Sequence, residues 1–194
     1  MNRTESLEKL SGNTFDLIVV GGGITGACLA YDAAKRGVKV ALLEKGDFGA
    51  ATAFASSRLL HGGIRYLQPV KVNKVRASAV ERVYFQNLVP HLCRYVPFLI
   101  PTFRQLSKGR LALRLALWAY AIAGLGQNRA VRSDRSRVPA TRMISSDELW
   151  ERLPFLRGNP EITGAAELPE CHMHSSERVT LALLSGAVEY GAVV

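Results

Sequence analysis

"DLIVVGGGITGACLAYDAAKRGVKVALLEKGD", residues 16–47, reads as a strand, a glycine turn, a helix and a second strand. The run "FDLIVV" (15–20) is almost continuously apolar, the pattern of a buried parallel strand. From Ile24 to Arg36, Leu29, Ala30, Ala33 and Ala34 recur at helical spacing, and Gly37 provides the stop. "VKVALLE" (38–44) is the second strand. Strand, helix and strand make a βαβ unit, right-handed by the general rule for such crossovers. The fold class is therefore α/β.

Gly21-Gly22-Gly23-Ile24-Thr25-Gly26 satisfies G-x-G-x-x-G. Alone that pattern is weak. Here it follows a strand, opens a helix, and is followed by Glu44, 18 residues past Gly26, at the end of the next strand. Gly21 permits the tight turn, Gly23 lets backbone approach a pyrophosphate, and Gly22 is counted with them among the cofactor-binding residues. Gly26 lets helix and strand pack closely. Free amides and the positive end of the helix dipole hold the phosphates. Glu44 is placed to accept from ribose hydroxyls, and its charge disfavours a 2′-phosphate. FAD and NAD share this fingerprint; a unit this close to the N-terminus leans toward FAD without deciding it.

Beyond the βαβ unit the pattern becomes helical. Residues 1–15 read as a flexible leader, and 46–69 as loop and short helix. Residues 72–89 form a helix with Val72, Val75, Ala79 and Val83 on one face, and Pro90, Pro97 and Pro101 punctuate the stretch after it. "RLALRLALWAYAIAGLG" (110–126) is the most apolar segment, and "SSDELWERL" opens on a capping box, Ser145 to Glu148. "ITGAAEL" (162–168) predicts a strand and 176–190 a helix. The closing "SGAVEYGAVV" reads as a helix end, a glycine stop and the start of another strand. The chain finishes where a sheet is expected to continue, as in a fragment. The expected organisation is a leader at 1–15, a cofactor-binding βαβ unit with its loop at 16–70, a mainly helical insertion at 71–160, and an incomplete return to the sheet at 161–194.

The net charge is +9 and hydrophobic residues make up 48% of the 194, enough for a real core. The basic residues are spread, with a bias toward 94–142, where Arg94, Arg104, Lys108, Arg110, Arg114, Arg129, Arg132, Arg135, Arg137 and Arg142 face few acids. No basic-aromatic stacking motif or zinc-finger spacing accompanies them, so nucleic acid is set aside as a partner. Cys28, Cys93 and Cys171 are widely spaced and odd in number, which argues against a disulfide scaffold and for a reducing compartment. "MNRTESLEKLSGNT" lacks an apolar signal core. No run approaches the roughly 18 apolar residues of a spanning helix.

"VGGGITGACLAYDAAKRG" (20–37) followed by "SSRLLHGGIRYL" (56–67) resembles the flavin-dependent glycerol-3-phosphate dehydrogenases, within the wider glycine/D-amino-acid oxidase group of FAD enzymes. The first stretch carries the family's glycines, then Ala30, Asp32, Arg36 and Gly37. The second matches its Ser-Ser-(Lys/Arg)-Leu-(Ile/Leu)-His-Gly-Gly-x-Arg-Tyr-Leu segment. The resemblance implies a Rossmann-like FAD-binding fold with a helical insertion, truncated here to about the first third of the family's length. It implies that Ser56, Ser57, Arg58, Gly62 and Gly63 line the flavin, and that Arg65 and Tyr66 face a phosphorylated polyol. The implied chemistry is oxidation of sn-glycerol 3-phosphate to dihydroxyacetone phosphate, with electrons passed to quinone. His61 has two readings, a proton acceptor beside the flavin or a residue that orients the loop. Three positions depart from the pattern: Cys28 replaces a glycine, Ala53 and Phe54 replace small hydroxylic residues, and Ser175 or Ser176 replaces an Asp before Arg178.

"CHMH" (171–174) offers potential metal ligands without a second pair at zinc-site spacing, so no metal is expected. Residues 110–126 read either as a helix lying in a membrane interface, with Arg110 and Arg114 reaching lipid phosphates, or as a buried helix. The first reading places the protein in the cytoplasm, peripheral on the inner face of the membrane. Two alternatives stand beside the glycerol-phosphate function: another amino-acid oxidase-like FAD enzyme acting on an amine or 2-hydroxy acid, and a non-catalytic FAD-binding remnant. The oligomeric state is not legible.

Overall fold

The computed structural model describes residues 3–67, 71–105 and 109–194. Lys108 of the basic series and the 68–70 end of the loop lie outside the described residues. In chain order the elements are α1 (Arg3–Gly12), β1 (Leu17–Val20), α2 (Ile24–Lys35), β2 (Val40–Leu43), β3 (Leu59–Leu60), α3 (Val72–Leu88), β4 (Cys93–Phe103), α4 (Arg110–Ala123), β5 (Arg142–Ile144), α5 (Ser146–Arg152), β6 (Ile162–Met173) and α6 (Ser176–Glu189). They form two compact units, 1–58 with 173–194, and 59–172. The division falls after Arg58 rather than at 70, because Leu59 and Leu60 pair with His172 and Cys171 of β6.

In the first unit β1 and β2 are parallel, from Leu17 opposite Val40 to Val20 opposite Leu43. Val193 joins β2 beside Ala41, also in parallel, so the strand expected at the chain's end is present as a bridge. Helix α2 lays a stripe of alanines inward: Ala27, Ala30, Ala33 and Ala34 are at most 8% exposed. Small side chains let α6 come close, and Gly186 of α6 takes the Tyr31 ring against its bare Cα. Leu29, expected on that inner stripe, is exposed. Gly37 follows α2 at φ +84°, the left-handed value that ends a helix. Strand β1 departs from the expected two-sided burial: Val19 is buried, while Ile18 and Val20 are 60% and 84% exposed. The expected flexible leader contains helix α1, which buries none of its residues.

The second unit has, besides the helices expected at 71–160, two strands in that stretch, β4 and β5. It is built on a sheet in the order β3-β6-β4, with β5 also pairing antiparallel to β6. Strand β6 runs twelve residues and is buried along most of its length. Helices α3 and α4 cover it through Val75, Leu117, Tyr120, Ala123, Ala166 and Leu168. A second cluster joins Ile144, Leu149, Ile162 and Ala165. Each such aliphatic side chain contributes about 1.5–3 kcal/mol on burial. The capping box is formed, with Ser145 Oγ accepting from the Glu148 amide at 3.1 Å. Val72 is exposed, and the inward face of α3 is completed by Arg82 and Gln86.

Candidate FAD-binding site

The glycine turn is shaped by contacts no side chain could share. A Cβ at Gly26 would strike the carbonyl oxygen of Gly21 and stand 3.4 Å from Val19 Cγ1. Gly21 has φ +108°. Around Gly21 and Gly23, by contrast, a Cβ would meet nothing within 4 Å, so this side of the turn is open. Gly23 is the N-cap of α2 and supplies no side-chain cap, leaving first-turn amides for an outside acceptor. An open, uncapped helix N-terminus with glycine at the approach fits a pyrophosphate.

Glu44 lies one residue beyond β2. Its Oε2 accepts from the Gly22 amide at 2.7 Å and its Oε1 from the Gly46 amide at 2.8 Å. These two amides hold the carboxyl below its ordinary value, so it stays ionised. Each oxygen retains a lone pair for a ribose hydroxyl. A group with a depressed folded pKa stabilises above its unfolded value and loses that contribution as pH falls through the folded one. The turn is therefore expected to loosen only below the usual carboxylate range. An NMR pH titration should show the Gly22 and Gly46 amides shifting together at a low midpoint, and Glu44→Gln should abolish that transition.

Residues 48–58 follow in the same unit. Gly49 donates to the Gly22 carbonyl at 3.0 Å, tying this segment to the turn. Ser56 Oγ donates to Ala53 O at 3.2 Å and accepts from the Arg58 amide at 3.2 Å; Ser57 is exposed. Arg58 has φ +55°, an uncommon value for a residue with a Cβ. Its backbone is held there by Met173, whose amide donates to Arg58 O at 2.8 Å. Its guanidinium reaches the His174 carbonyl and Glu177, each at 3.4 Å. Ser175, one of the two serines where an Asp is expected, is the N-cap of α6 and accepts from the Arg178 amide.

In the second unit, His61 is exposed and stands edge-on to Tyr66 at 6.1 Å between centroids. Arg65 is exposed, and Lys74 lies 5.7 Å over the Tyr66 ring. The paired glycines have an interior reason beyond any approach to a ring. A Cβ at Gly62 would collide with the Tyr120 hydroxyl and lie 2.6 Å from Arg82 Nη1. At Gly63, φ +80°, it would meet Ser78 at 2.9 Å.

Sequence reasoning missed what lies beneath Gly62. Glu170 Oε2 accepts from the Gly62 amide at 2.7 Å and from Arg82 Nη1 at 3.2 Å. Both side chains are almost wholly buried, at 0% exposure for Arg82 and 6% for Glu170. Arg82 also donates to Gln127 Oε1 at 3.0 Å and stacks on the Tyr95 ring at 5.5 Å. The Tyr120 hydroxyl and Arg82 Nε complete no hydrogen bond of good geometry among the described residues. Burial pushes the Glu170 carboxyl up, against the pull of the Gly62 amide and Arg82. The available signals were an acid inside the apolar run "AAELPEC" and an arginine seven residues after Val75 on the inward face of α3.

A family model described as DAO, FAD dependent oxidoreductase, matches residues 16–194. The chain belongs to the FAD-dependent oxidoreductase family. It is similar to alpha-glycerophosphate oxidase of Streptococcus pneumoniae, 31% identical over 99% of this chain and 30% of that protein. It is also similar to D-erythritol 1-phosphate dehydrogenase of Brucella abortus, 35% identical over 93% of this chain and 33% of that one. Among solved structures, the glycerol-3-phosphate dehydrogenase of Bacillus halodurans complexed with FAD superposes with a TM-score of 0.65 at 25% identity, over 98% of this chain and 28% of that one. The chain thus spans about a third of the length of the curated relatives it matches. The FAD expectation and the α/β fold class stand; the open turn and the ionised Glu44 beside it would suit a pyrophosphate and a ribose.

The expectation of a basic 94–142 stretch without acidic partners needs correction at Arg142. Arg142 is paired with Glu148 at 2.6 Å and Glu167 at 2.9 Å, in a network that includes Arg152. Arg110 donates to the carbonyls of Ile144 and Thr163, both at 3.2 Å. Among the described residues there is no cluster of three metal-ligating side chains, and no helix is long and apolar enough to cross a membrane.

Proposed function

We propose that this chain is the FAD-binding part of an oxidoreductase acting on sn-glycerol 3-phosphate or a closely related phosphorylated polyol, with dihydroxyacetone phosphate as product in the first case. The observation that carries this is the family membership together with relatives whose names specify glycerophosphate and erythritol phosphate. Bound FAD would supply the acceptor for a hydride from the substrate carbon, and quinone would take the electrons onward. The chain's own residues do the rest. Exposed Arg65, with Lys74 beside Tyr66, offers two cations for a substrate phosphate, and the guanidinium fork suits it. His61 is the candidate acceptor for the substrate hydroxyl proton. The test is to incubate the chain with FAD, pass it through gel filtration, and add glycerol 3-phosphate without oxygen. Loss of the bound flavin's visible absorbance supports the reading. Bound flavin that resists every polyol phosphate favours a non-catalytic FAD-binding protein, and bleaching by an amine or 2-hydroxy acid favours the wider oxidase group.

We further propose that α4 rests on the inner face of the membrane, where quinone resides. Leu111, Leu115, Trp118, Ile122 and Leu125 follow one another at helical spacing and are 56–71% exposed, while Leu117, Tyr120 and Ala123 pack inward. A cleft of about 920 Å³ beside this stripe is lined by Arg114, Arg129 and Arg137, none with an acidic partner among the described residues. Apolar side chains flanked by unpaired arginines suit an anionic lipid surface. In a Trp150→Phe chain, Trp118 emission should shift to the blue on adding anionic vesicles and return with salt. Unchanged emission, with no flotation on those vesicles, would count against α4 as the docking element.

A further inference from the structure

We infer that the arginine cleft beside α4 is a headgroup site for a phosphomonoester lipid, an acylated glycerol phosphate whose phosphate is held by Arg114, Arg129 and Arg137 and whose chains leave along α4. The cleft, of about 920 Å³, lies wholly within the second unit: its walls are α4 from Arg114 onward, the 124–141 connection, the start of β5 and Pro169 of β6. Arg142 lines it too, but Glu148 and Glu167 hold its guanidinium. Among the described residues no Asp or Glu lines the cleft, and the other three arginines have no acidic partner.

The connection that carries Arg129 and Arg137 is closed by clasps from side chain to backbone. Asn128 Oδ1 accepts from the Val138 amide at 2.9 Å, and its Nδ2 donates to Val138 O at 3.1 Å. Asn87 of α3 grips the same loop: its Nδ2 donates to Ala130 O at 2.6 Å and its Oδ1 accepts from the Arg132 amide at 3.1 Å. The first clasp brings together the backbone on which Arg129 and Arg137 stand, each one residue inside it. Gly126, at φ +85°, turns the chain out of α4, and the Arg129 stem lies over it, Cδ 3.8 Å from where a Cβ would be. Cations gathered without a counter-charge repel one another, and a loop pinned in that form suits a ligand that brings the negative charge.

The lining selects the ligand. A guanidinium fork takes phosphate oxygens in pairs. A phosphodiester offers two free oxygens and one charge; a phosphomonoester offers three oxygens and close to two charges, the better match for three forks. Much of the remaining wall is apolar: Leu117, Trp118, Leu125, Val138, Pro139 and Met143. Trp118 and Leu125, 70% and 67% exposed, also belong to the outward stripe of α4, so the apolar wall continues out of the cleft along the helix. Inorganic phosphate or a polyol phosphate would leave that wall in water, whereas acyl chains would cover it. Presentation of the lipid from a bilayer rests on the proposed docking of α4; recognition of the phosphomonoester does not.

The experiment uses the whole chain with Trp150→Phe, so that Trp118 reports from the cleft wall. Phosphatidylcholine vesicles containing phosphatidic acid, a phosphomonoester, are compared with vesicles containing phosphatidylglycerol, a phosphodiester, at matched zeta potential. Flotation and Trp118 emission should show about tenfold tighter binding to the first, the worth of one further charge-assisted hydrogen bond. Arg129→Ala with Arg137→Ala should erase that preference. Arg132→Ala with Arg135→Ala takes the same charge from the same loop outside the cleft lining, and should weaken both lipids while keeping the preference. Dihexanoyl phosphatidic acid below its micelle concentration should shift Trp118 emission saturably, with inorganic phosphate and glycerol 3-phosphate far weaker; this arm needs no arginine variant and no bilayer. Saturable binding of the short-chain lipid without vesicle binding would support the site and sink the docking of α4. Equal binding to both vesicles would overturn the site and leave the docking standing. A preference that survives Arg129→Ala with Arg137→Ala, no response to the short-chain lipid, or inorganic phosphate bound as tightly as that lipid would also overturn it.

Discussion

Gly26→Ala is expected to remove FAD binding and destabilise the first unit. The added methyl has nowhere to go: it would strike the Gly21 carbonyl and stand 3.1 Å from its carbon. Neither obstacle is the end of a flexible side chain. Gly21 is itself pinned, its amide donating to Leu43 O at 2.8 Å across the sheet. Relief therefore requires α2 to move off β1, which would open the alanine interface that α2 makes. Overpacking of this kind costs about 1–3 kcal/mol. It also displaces the uncapped helix end that fits the pyrophosphate. Gly23→Ala gives the contrast. A Cβ there meets nothing within 4 Å, so the folded chain should keep its stability and lose FAD affinity to the extent that a ligand occupies that space. Urea unfolding with FAD titration separates the two: equal stability losses, or FAD retained by Gly26→Ala, would contradict this account of the turn.

The contrast between the two units shows what sequence patterns can carry. The βαβ unit was legible because its signals are local: an apolar run, glycines at fixed offsets, and an acid at the next strand's end all lie between residues 15 and 44. The cap at Ser145 and the left-handed Gly37 were legible for the same reason. The second unit's sheet was not, because β3 meets β6 from far along the chain, Leu60 opposite Cys171, and two residues cannot carry a strand signal. Strand β4 was hidden by Pro97 and Pro101, read as punctuation. The sheet order explains their presence: β4 lies at an edge, where a missing amide leaves no ladder bond unmade. Strand β6 was seen only to Leu168, since Pro169 and Glu170 look like an end; it continues because Glu170 has a buried cation waiting on α3. At the turn, Gly21 has φ +108° and Gly26 has no room for a Cβ against the Gly21 carbonyl, both local demands that the glycine spacing carries. Gly62 and Gly63 carry a second reason visible only in three dimensions, the crowding of Tyr120, Arg82 and Ser78.

That buried pair yields the other large expected effect. Glu170→Ala should lower the stability of the second unit by about 3–5 kcal/mol, because it leaves Arg82 charged and unpaired at 0% exposure. The size of the loss does not mean that the pair itself is strongly stabilising. Burial raises the Glu170 carboxyl, so desolvation outweighs the attraction of the Gly62 amide and Arg82. A group raised in the folded state contributes stability that is complete below its unfolded value and is lost as pH rises through the folded one. The chain should therefore lose some stability as pH climbs out of the ordinary carboxylate range, and Glu170→Gln should flatten that slope. Removing both charges tests the argument more sharply. Arg82→Met with Glu170→Leu deletes the buried ions together, leaving chiefly the Gly62 amide without its acceptor, a cost of about 1–3 kcal/mol. The double variant is thus expected to be more stable than Glu170→Ala alone, although it loses more hydrogen bonds. Thermal or urea unfolding of the three chains decides it. A double variant less stable than the single would mean that the pair stabilises the unit, and that the anchoring of Gly62 rests on the ion pair rather than on the carboxylate alone.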